Sequence, residues 1–264
     1  MSTHDPRFDF AIELAKKAGA FAKGYFENFD QLQIESKGHH DLVSKADRET
    51  EDLVREAIAK AYPEDGILGE ERGREDGTSG YLWVIDPIDG TANFVSGIPQ
   101  WCVIIACVKD GDTLFGVTFE PCREECFTAY KGQGAFLNGE QIKASTATDL
   151  TGGAIGIGFT RKRPYMQMVN AVQGILENKG VFFRNASGGL SLCYVASGRL
   201  LGFVEGNLQP WDCLAGRLAI EEAGGRTNPV DMDEMLESGY RIAACASGVY
   251  DVVEGISASA YVDE

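Results

Sequence analysis

Residues 8–26 set Phe8, Ala11, Ile12, Ala15, Ala18, Ala22, Tyr25 and Phe26 three and four positions apart, with Lys16, Lys17 and Lys23 between them. This period predicts an amphipathic helix. A polar, Gly-broken stretch over 34–47 reads as a mobile loop, and beyond it Leu53, Val54, Ala57, Ile58 and Ala61 set a second helical stripe that residues 63–66 end. Ile67-Leu68-Gly69-Glu70-Glu71 reads as a short strand delivering two acids to its end, ahead of an exposed charged loop over 72–79. Trp83-Val84-Ile85 reads as the end of a buried strand that breaks at Asp86-Pro87 and again at Asp89-Gly90. From 101 to 142 strand-like runs at 101–108, 114–119 and 125–130 alternate with turns at Asp110-Gly111 and around Gly132 and Gly134, which predicts an antiparallel meander. A segment rich in Ser, Thr, Ala, Asp and Gly, 144–153, marks a boundary between two lobes, 1–145 and 146–264. Past it a strand at 154–157 alternates with helical stripes at 164–178, 190–197, 213–223 and 249–258, so the second lobe reads as α/β and the first as α+β.

The chemistry gathers where the apolar run stops. Pro87 has no backbone N–H and a fixed φ, so the turn is stiff and holds Asp86 and Asp89 close instead of letting them relax apart. Like charges held close need a cation, and hard oxygen donors, with the Ile88 carbonyl between them, suit Mg²⁺ better than zinc. Asp-Pro and Asp-Gly taken singly are ordinary turn formers. Two acids three apart with a Pro, a Gly and a Thr at the end of an apolar strand exceed what a turn requires. Gly90-Thr91 reads as the opening of a helix or turn whose N–H groups can receive a phosphate. A second acid, Asp212, stands just before a helix with Leu214, Leu218, Ala219 and Ala223 on its apolar face; alone it reads equally as an N-cap. Glu205 follows the apolar run 200–204, where a solvated strand-end acid is the plain alternative.

Composition narrows the classes. The 264 residues fit one large domain or two lobes, and the hydrophobic fraction of 44% with 24% charged residues is that of a globular chain. No apolar run approaches the ~20 residues of a membrane span. Residues 1–6 lack the basic and apolar regions of a signal peptide, which predicts a cytoplasmic protein. Seven Cys, an odd number, lie scattered in apolar segments, as Cys102, Cys107, Cys193 and Cys245 do, and predict buried free thiols in a reducing compartment. The three His and seven Cys show no metal-ligand spacing. A net charge of −16, from 40 acids against 24 bases, argues against nucleic acid or an anionic membrane as the main partner. Bound divalent ions would reverse that sign locally.

Residues 83–94 together with 211–225, and Gly69-Glu70-Glu71 ahead of them, resemble the inositol monophosphatase family, whose two signature motifs are present in order. The resemblance implies a layered αβαβα fold, two or three Mg²⁺ ions, lithium sensitivity, a homodimer, and hydrolysis of a small phosphate monoester, inositol monophosphate first. By position it makes Glu70, Asp86, Asp89, Asp212 and the Ile88 carbonyl the metal ligands and Gly90 and Thr91 the phosphate cradle. Asp47 matches the acid that supports the threonine, and Lys37 a basic residue on the loop. It further implies in-line attack by a water that Glu70 and Thr91 orient, without a covalent intermediate. Asp89, Gly90, Thr91, Gly188, Gly189, Glu205 and Asp212 would contact substrate. Gly188-Gly189 stands where the family often has Ala-Ala, which leaves histidinol phosphate and other sugar or nucleotide phosphates as alternatives. A regulatory binding module that keeps the fold is the reading of a different class.

Overall fold

The computed structural model describes residues 4–28, 34–38, 41–161 and 163–262, with the backbone alone over 34–38 and 41–44. Helix α1 (Pro6–Glu27) begins where the Asp5 side chain accepts the Arg7 N–H at 2.9 Å, and it buries the predicted stripe from Phe8 to Ala22. The expected loop over 34–47 is instead an antiparallel pair, β1 (Ile34–Gly38) and β2 (Asp41–Ser44), running into α2 (Lys45–Ala61). Backbone pairing there needs no apolar run, so polarity alone misled. Asp47 thereby lies inside the first turn of a helix and is buried. The Lys37 side chain and His39-His40 lie outside the described residues.

Strands β3 (Gly66–Gly69), β4 (Gly73–Glu75) and β5 (Tyr81–Asp89) come next, followed by the short helix α3 (Thr91–Phe94). After them come β6 (Cys102–Lys109), β7 (Asp112–Glu120), β8 (Glu125–Tyr130), β9 (Gly134–Leu137) and β10 (Glu140–Gln141). They form one eight-stranded sheet in the order β10-β9-β8-β7-β6-β5-β3-β4, antiparallel except where β3 runs parallel to β5. The predicted meander is its centre; the charged loop at 72–79 contains the edge strand β4. The second half holds β11 (Ala154–Ile157), α4 (Tyr165–Glu177), β12 (Val181–Phe183), α5 (Gly188–Ala196), β13 (Gly202–Leu208) and α6 (Pro210–Glu222). It closes with β14 (Gly225–Thr227), α7 (Met232–Ser238), β15 (Tyr240–Ala246) and α8 (Tyr250–Ala260), and its five strands order as β12-β11-β13-β15-β14.

Alternate residues of the central strands feed opposite layers. Trp83, Ile85, Val103 and Ile105 pack against α1 and α2, whereas Val84, Ile104 and Ala106 pack against Leu190 and Leu192 of α5 and Leu214 and Leu218 of α6. The other side of α5 and α6 meets Phe203, Ile242 and Ala244 of the small sheet, whose far face holds α4 and α8 through Ala171, Ile175, Val253 and Ile256. The result is an αβαβα stack with one helix pair in its middle. That middle layer is tight: a Cβ at Gly116 would lie 2.5 Å from the Ala215 Cα, so α6 can approach β7 only over a glycine. All seven cysteines are free and six are buried. Among the described residues no helix is long and apolar enough to cross a membrane.

The outer helix layer is tied down by a polar clamp. Asp65 accepts from Arg7 at 2.7 and 3.0 Å, from Ser79 Oγ at 2.6 Å and from Trp83 Nε1 at 2.9 Å. The Arg7 guanidinium lies between the rings of Tyr62 and Tyr81, at 4.3 and 3.9 Å. Burial pushes the Asp65 carboxyl up, but these donors outweigh it and leave it below its ordinary value. Asp65→Asn should therefore lower unfolding stability by about 2 kcal/mol, because it takes the charged acceptor from a part-buried Arg7, leaving it the longer Asp5 contact at 3.4 Å, and unsettles the other donors on Asp65. An unchanged urea midpoint would contradict this.

Candidate active site

Residues 86 and 89 of a regular strand would point to opposite faces, since side chains alternate with a period of two. The strand does not break at Asp86-Pro87, as its sequence suggested; β5 continues to Asp89 and bulges. Asp86 pairs with Ile104 but Asp89 with Cys102, so three steps on β5 meet two on β6. The extra residue shifts the phase by one and brings both carboxylates to the same side. Pro87, which cannot donate to a ladder, sits inside the bulge. Asp86 Oδ1 accepts the Ile88 N–H at 2.9 Å and holds the turn from within. Gly90 then takes φ of 92° and caps α3.

Asp212 arrives from the middle layer. Pro210 starts α6 two residues before it, so Asp212 is the third helical residue and not the one ahead of the helix, and its Oδ2 accepts the Gln209 N–H at 3.3 Å. Ligand oxygens of Asp86, Asp89 and Asp212 all lie within 4.8 Å of one another. Glu70, just past β3, donates its N–H to the Ile85 carbonyl at 3.3 Å; its carboxylate is outside that trio, yet its charge acts on Asp86. The Thr91 hydroxyl lies 3.1 Å from the Ile88 carbonyl and 3.3 Å from Asp47 Oδ1. The Ile88 carbonyl thus accepts the Thr91 hydroxyl beside the acidic trio.

Asp89 is held by residues that the motif does not contain. Its Oδ2 accepts from Ser187 Oγ, from the Gly189 N–H at 2.7 Å and from Cys102 Sγ at 3.5 Å, so the start of α5 immobilises one oxygen and leaves the other. Ser187 also caps α5 through the Leu190 N–H at 3.2 Å. A Cβ at Gly189 would collide with Ile104 and come within 2.9 Å of Asp89 Oδ2. A serine ahead of a helical stripe is an N-cap signal, which marks the start of α5 but not its bond to Asp89. Ala186, just before it, has φ of 61°, a conformation that costs a non-glycine residue about 1–2 kcal/mol.

Glu205 lies in the middle of β13, not at a solvated strand end, and is buried. A second bulge follows it, between Glu205 and Leu208. Gly158 leaves the space its carboxylate occupies. Asp89, Arg184, Asn185, Ser187, Glu205 and Asp212 line one cavity of about 160 Å³, which Gly188 also borders.

These acids repel one another out of water. Burial, and then Glu70, Asp212 and Asp89, push the Asp86 carboxyl well above its usual range; burial raises Asp89 too, against the donors at Ser187 and Gly189. Burial, then Asp212 and Asp89, push Glu205 up to about 8, with Arg184 opposing. A buried set of carboxylate oxygens that hold protons for want of a counter-charge fits hard divalent cations.

Sequence and structure comparisons agree with this geometry. The profile of the inositol monophosphatase family matches residues 4–255. Nus factor SuhB of Escherichia coli strain K12 is 40% identical over 223 residues, 83% of this chain and 84% of that protein. Nus factor SuhB of Haemophilus influenzae is 37% identical over 259 residues, 96% of each. The crystal structure of the extragenic suppressor protein suhB from Bartonella henselae superposes with a TM-score of 0.90 at 31% identity, over 96% of this chain and 99% of that one. The Thermotoga maritima IMPase gives 0.87 at 28% identity, over 97% and 98%. The layered fold and its acidic centre are those of a phosphoric monoester hydrolase. The chain belongs to the inositol monophosphatase family.

Raised carboxyl pKa values have a direct consequence for the metal-free protein. A group raised on folding stabilises fully below its unfolded pKa, 4.5 for Glu205, and loses that contribution as pH rises through about 8. Chelator-treated protein should thus lose on the order of 3 kcal/mol between about pH 5 and about pH 8.5, and Mg²⁺ added at the upper pH should restore it with proton release. A flat or rising stability over that window, followed by calorimetry, would contradict the assignment.

Proposed function

We propose that the chain hydrolyses a small phosphate monoester with Mg²⁺, two or three ions being held by Glu70, Asp86, Asp89, Asp212 and the Ile88 carbonyl, and that inositol monophosphate is its substrate. The observation that carries this is the convergence of Asp86, Asp89 and Asp212 beside a cavity whose far wall is Glu205. Four carboxylates and a phosphate dianion sum to about −6, which three divalent ions cancel. Those ions supply the positive charge that phosphoryl transfer needs and make water acidic enough to react near neutral pH. The remaining work falls to the chain. Glu70 and Thr91 orient the attacking water, and the contact of Thr91 with Asp47 supports this by fixing the hydroxyl. Gly90 and Thr91 receive the phosphate with their N–H groups. Gly188 borders the cavity without a side chain, Gly189 serves the site by bonding Asp89 and not as a substrate wall, and Glu205 meets a substrate hydroxyl. Li⁺ should inhibit, as a small cation able to occupy the site without the charge to run the reaction.

Histidinol phosphate is the first alternative, because Glu205 can also meet an amine. A purified-protein screen for phosphate release over a panel of monoesters tests the reaction, and Glu205→Gln tests the substrate class. For the polyol ester it should cost roughly 1.5–3 kcal/mol in kcat/KM, whereas a nitrophenyl ester, which offers no hydroxyl, should be hydrolysed almost as before. Equal losses on both would remove Glu205 from recognition.

We further infer a cytoplasmic homodimer of two-lobed subunits, 1–145 and 146–264. The seven free cysteines support the compartment. A second copy is supported by the apolar face that α4 and the edge strand β12 turn outward, where Tyr165 is 69% and Val181 62% exposed beside Met166, Val169, Leu176 and Phe182. Sedimentation should give a dimer, and Val169→Asp with Val181→Asp a monomer; a monomeric wild type would refute this. The name Nus factor carried by the SuhB relatives favours a second reading, a regulatory binding role at the surface. The complete acidic set supports a small phosphorylated metabolite as the principal partner once cations are bound, and the charge of −16 argues against nucleic acid in that place.

A further inference from the structure

Helix α2 turns a polar stripe inward as well as an apolar one. Asp47, Glu51 and Arg55 follow one another at four-residue spacing along one face, and all three are buried. Glu51 is wholly inaccessible, and its carboxylate accepts the Glu71 N–H at 2.7 Å on Oε2, and the Arg72 N–H at 3.1 Å and Arg55 Nε at 2.7 Å on Oε1. Gly69 has no side chain because Glu51 occupies that space. Arg55 continues to the Gly73 carbonyl and, at 3.0 Å, to Glu75. Glu70 sits between these anchors: the residue before it packs on Glu51, the two after it bond Glu51, and its own N–H bonds β5.

Stability gives a weak reason for burying a carboxylate here, since apolar residues of similar volume usually serve at least as well as a buried ion pair. Geometry gives a stronger one. One turn of helix separates Glu51 from Asp47, which contacts Thr91, so a single rigid rod sets the two groups relative to each other. We propose that Glu51 is a positioning residue of the catalytic centre: it holds the 69–72 turn so that Glu70 meets the cation site in register with Thr91. This rests on the role proposed above for Glu70.

Glu51→Gln keeps the volume but replaces one of the two accepting oxygens by an NH₂, which must face one donor on Oε2 or two on Oε1. In chelator-treated protein the Glu71 and Arg72 amides should exchange at least about tenfold faster while those of β3 and β5 stay protected, and the Mg²⁺ concentration for half-maximal activity should rise about tenfold. Glu51→Asp keeps the charge but is too short for both amides; it carries the same test if the amide variant does not fold. Asp65→Asn, a buried acid remote from the site, should lower stability and leave the Mg²⁺ requirement where it was. If Asp65→Asn shifts that requirement equally, or if turn exchange is unchanged in the Glu51 variants, the positioning role is overturned. An unchanged requirement in Glu70→Gln would instead overturn the role of Glu70 itself.

Discussion

The structure depends on a repulsion that it does not relieve by itself. Three carboxylates lie within 4.8 Å of one another. At an effective dielectric constant near 20, each ionised pair at that separation costs about 3–4 kcal/mol, so the trio alone would cost on the order of 10 kcal/mol. That is as large as the whole stability of an ordinary domain. The metal-free protein escapes by holding protons: burial first and then the neighbouring acids push Asp86 up, and burial raises Asp89 against its hydrogen-bond donors. A site that must withstand such a force cannot be built on a flexible loop. Each acid is accordingly placed on or beside regular structure: Asp86 and Asp89 in a bulge of a central strand, Asp212 in the first turn of a buried helix, and Glu70 on a turn that β5 and α2 grip from two sides.

The layer order follows from the same demand. α5 and α6 lie between the sheets, so their N-terminal ends meet the strand end of β5 from inside the molecule. The α5 end supplies Ser187 and the Gly189 N–H to Asp89; the α6 end supplies Asp212 itself. Helix N-termini carry unpaired N–H groups and partial positive charge, worth about 0.3–1 kcal/mol for a neighbouring anion. That is too little to neutralise three carboxylates, and it explains why fixing one oxygen of Asp89 still leaves its pKa raised. The helix ends orient the acids; they do not replace the cation.

How much of this was legible in the sequence depended on range. The bounds of α1, the meander and β11 followed from periodicity, because these elements bury one face or both and their apolar residues say so. The acidic anchors were legible as a resemblance, since their spacing is local. Glu205 and Asp212 were misplaced within their elements for a different reason. Glu205 continues a strand that buries it on a face between apolar neighbours, which no alternation reveals, and Asp212 is preceded by Pro210, whose preference for the first helical turn outweighs the N-cap preference of Asp. The β1–β2 pair was missed because its polar residues mimic a loop. The supports of the site were least legible. Ser187 lies 98 residues from the Asp89 it bonds, and nothing in a linear pattern joins them.

Glu51 shows the limit from the other side. Its signal, three ionisable residues at helical spacing, was present in the chain from the start, but the same pattern on an exposed face is an ordinary solvated stripe. Only the burial of the face separates the two, and burial was decided elsewhere, by Gly69 admitting the carboxylate and by the 69–72 turn presenting its N–H groups to it. A glycine next to an acid at a strand end is the local trace of that arrangement. In Gly69-Glu70-Glu71 the glycine is therefore as informative as the acid that follows it: the acid marks the chemistry, and the missing side chain marks where the support comes in.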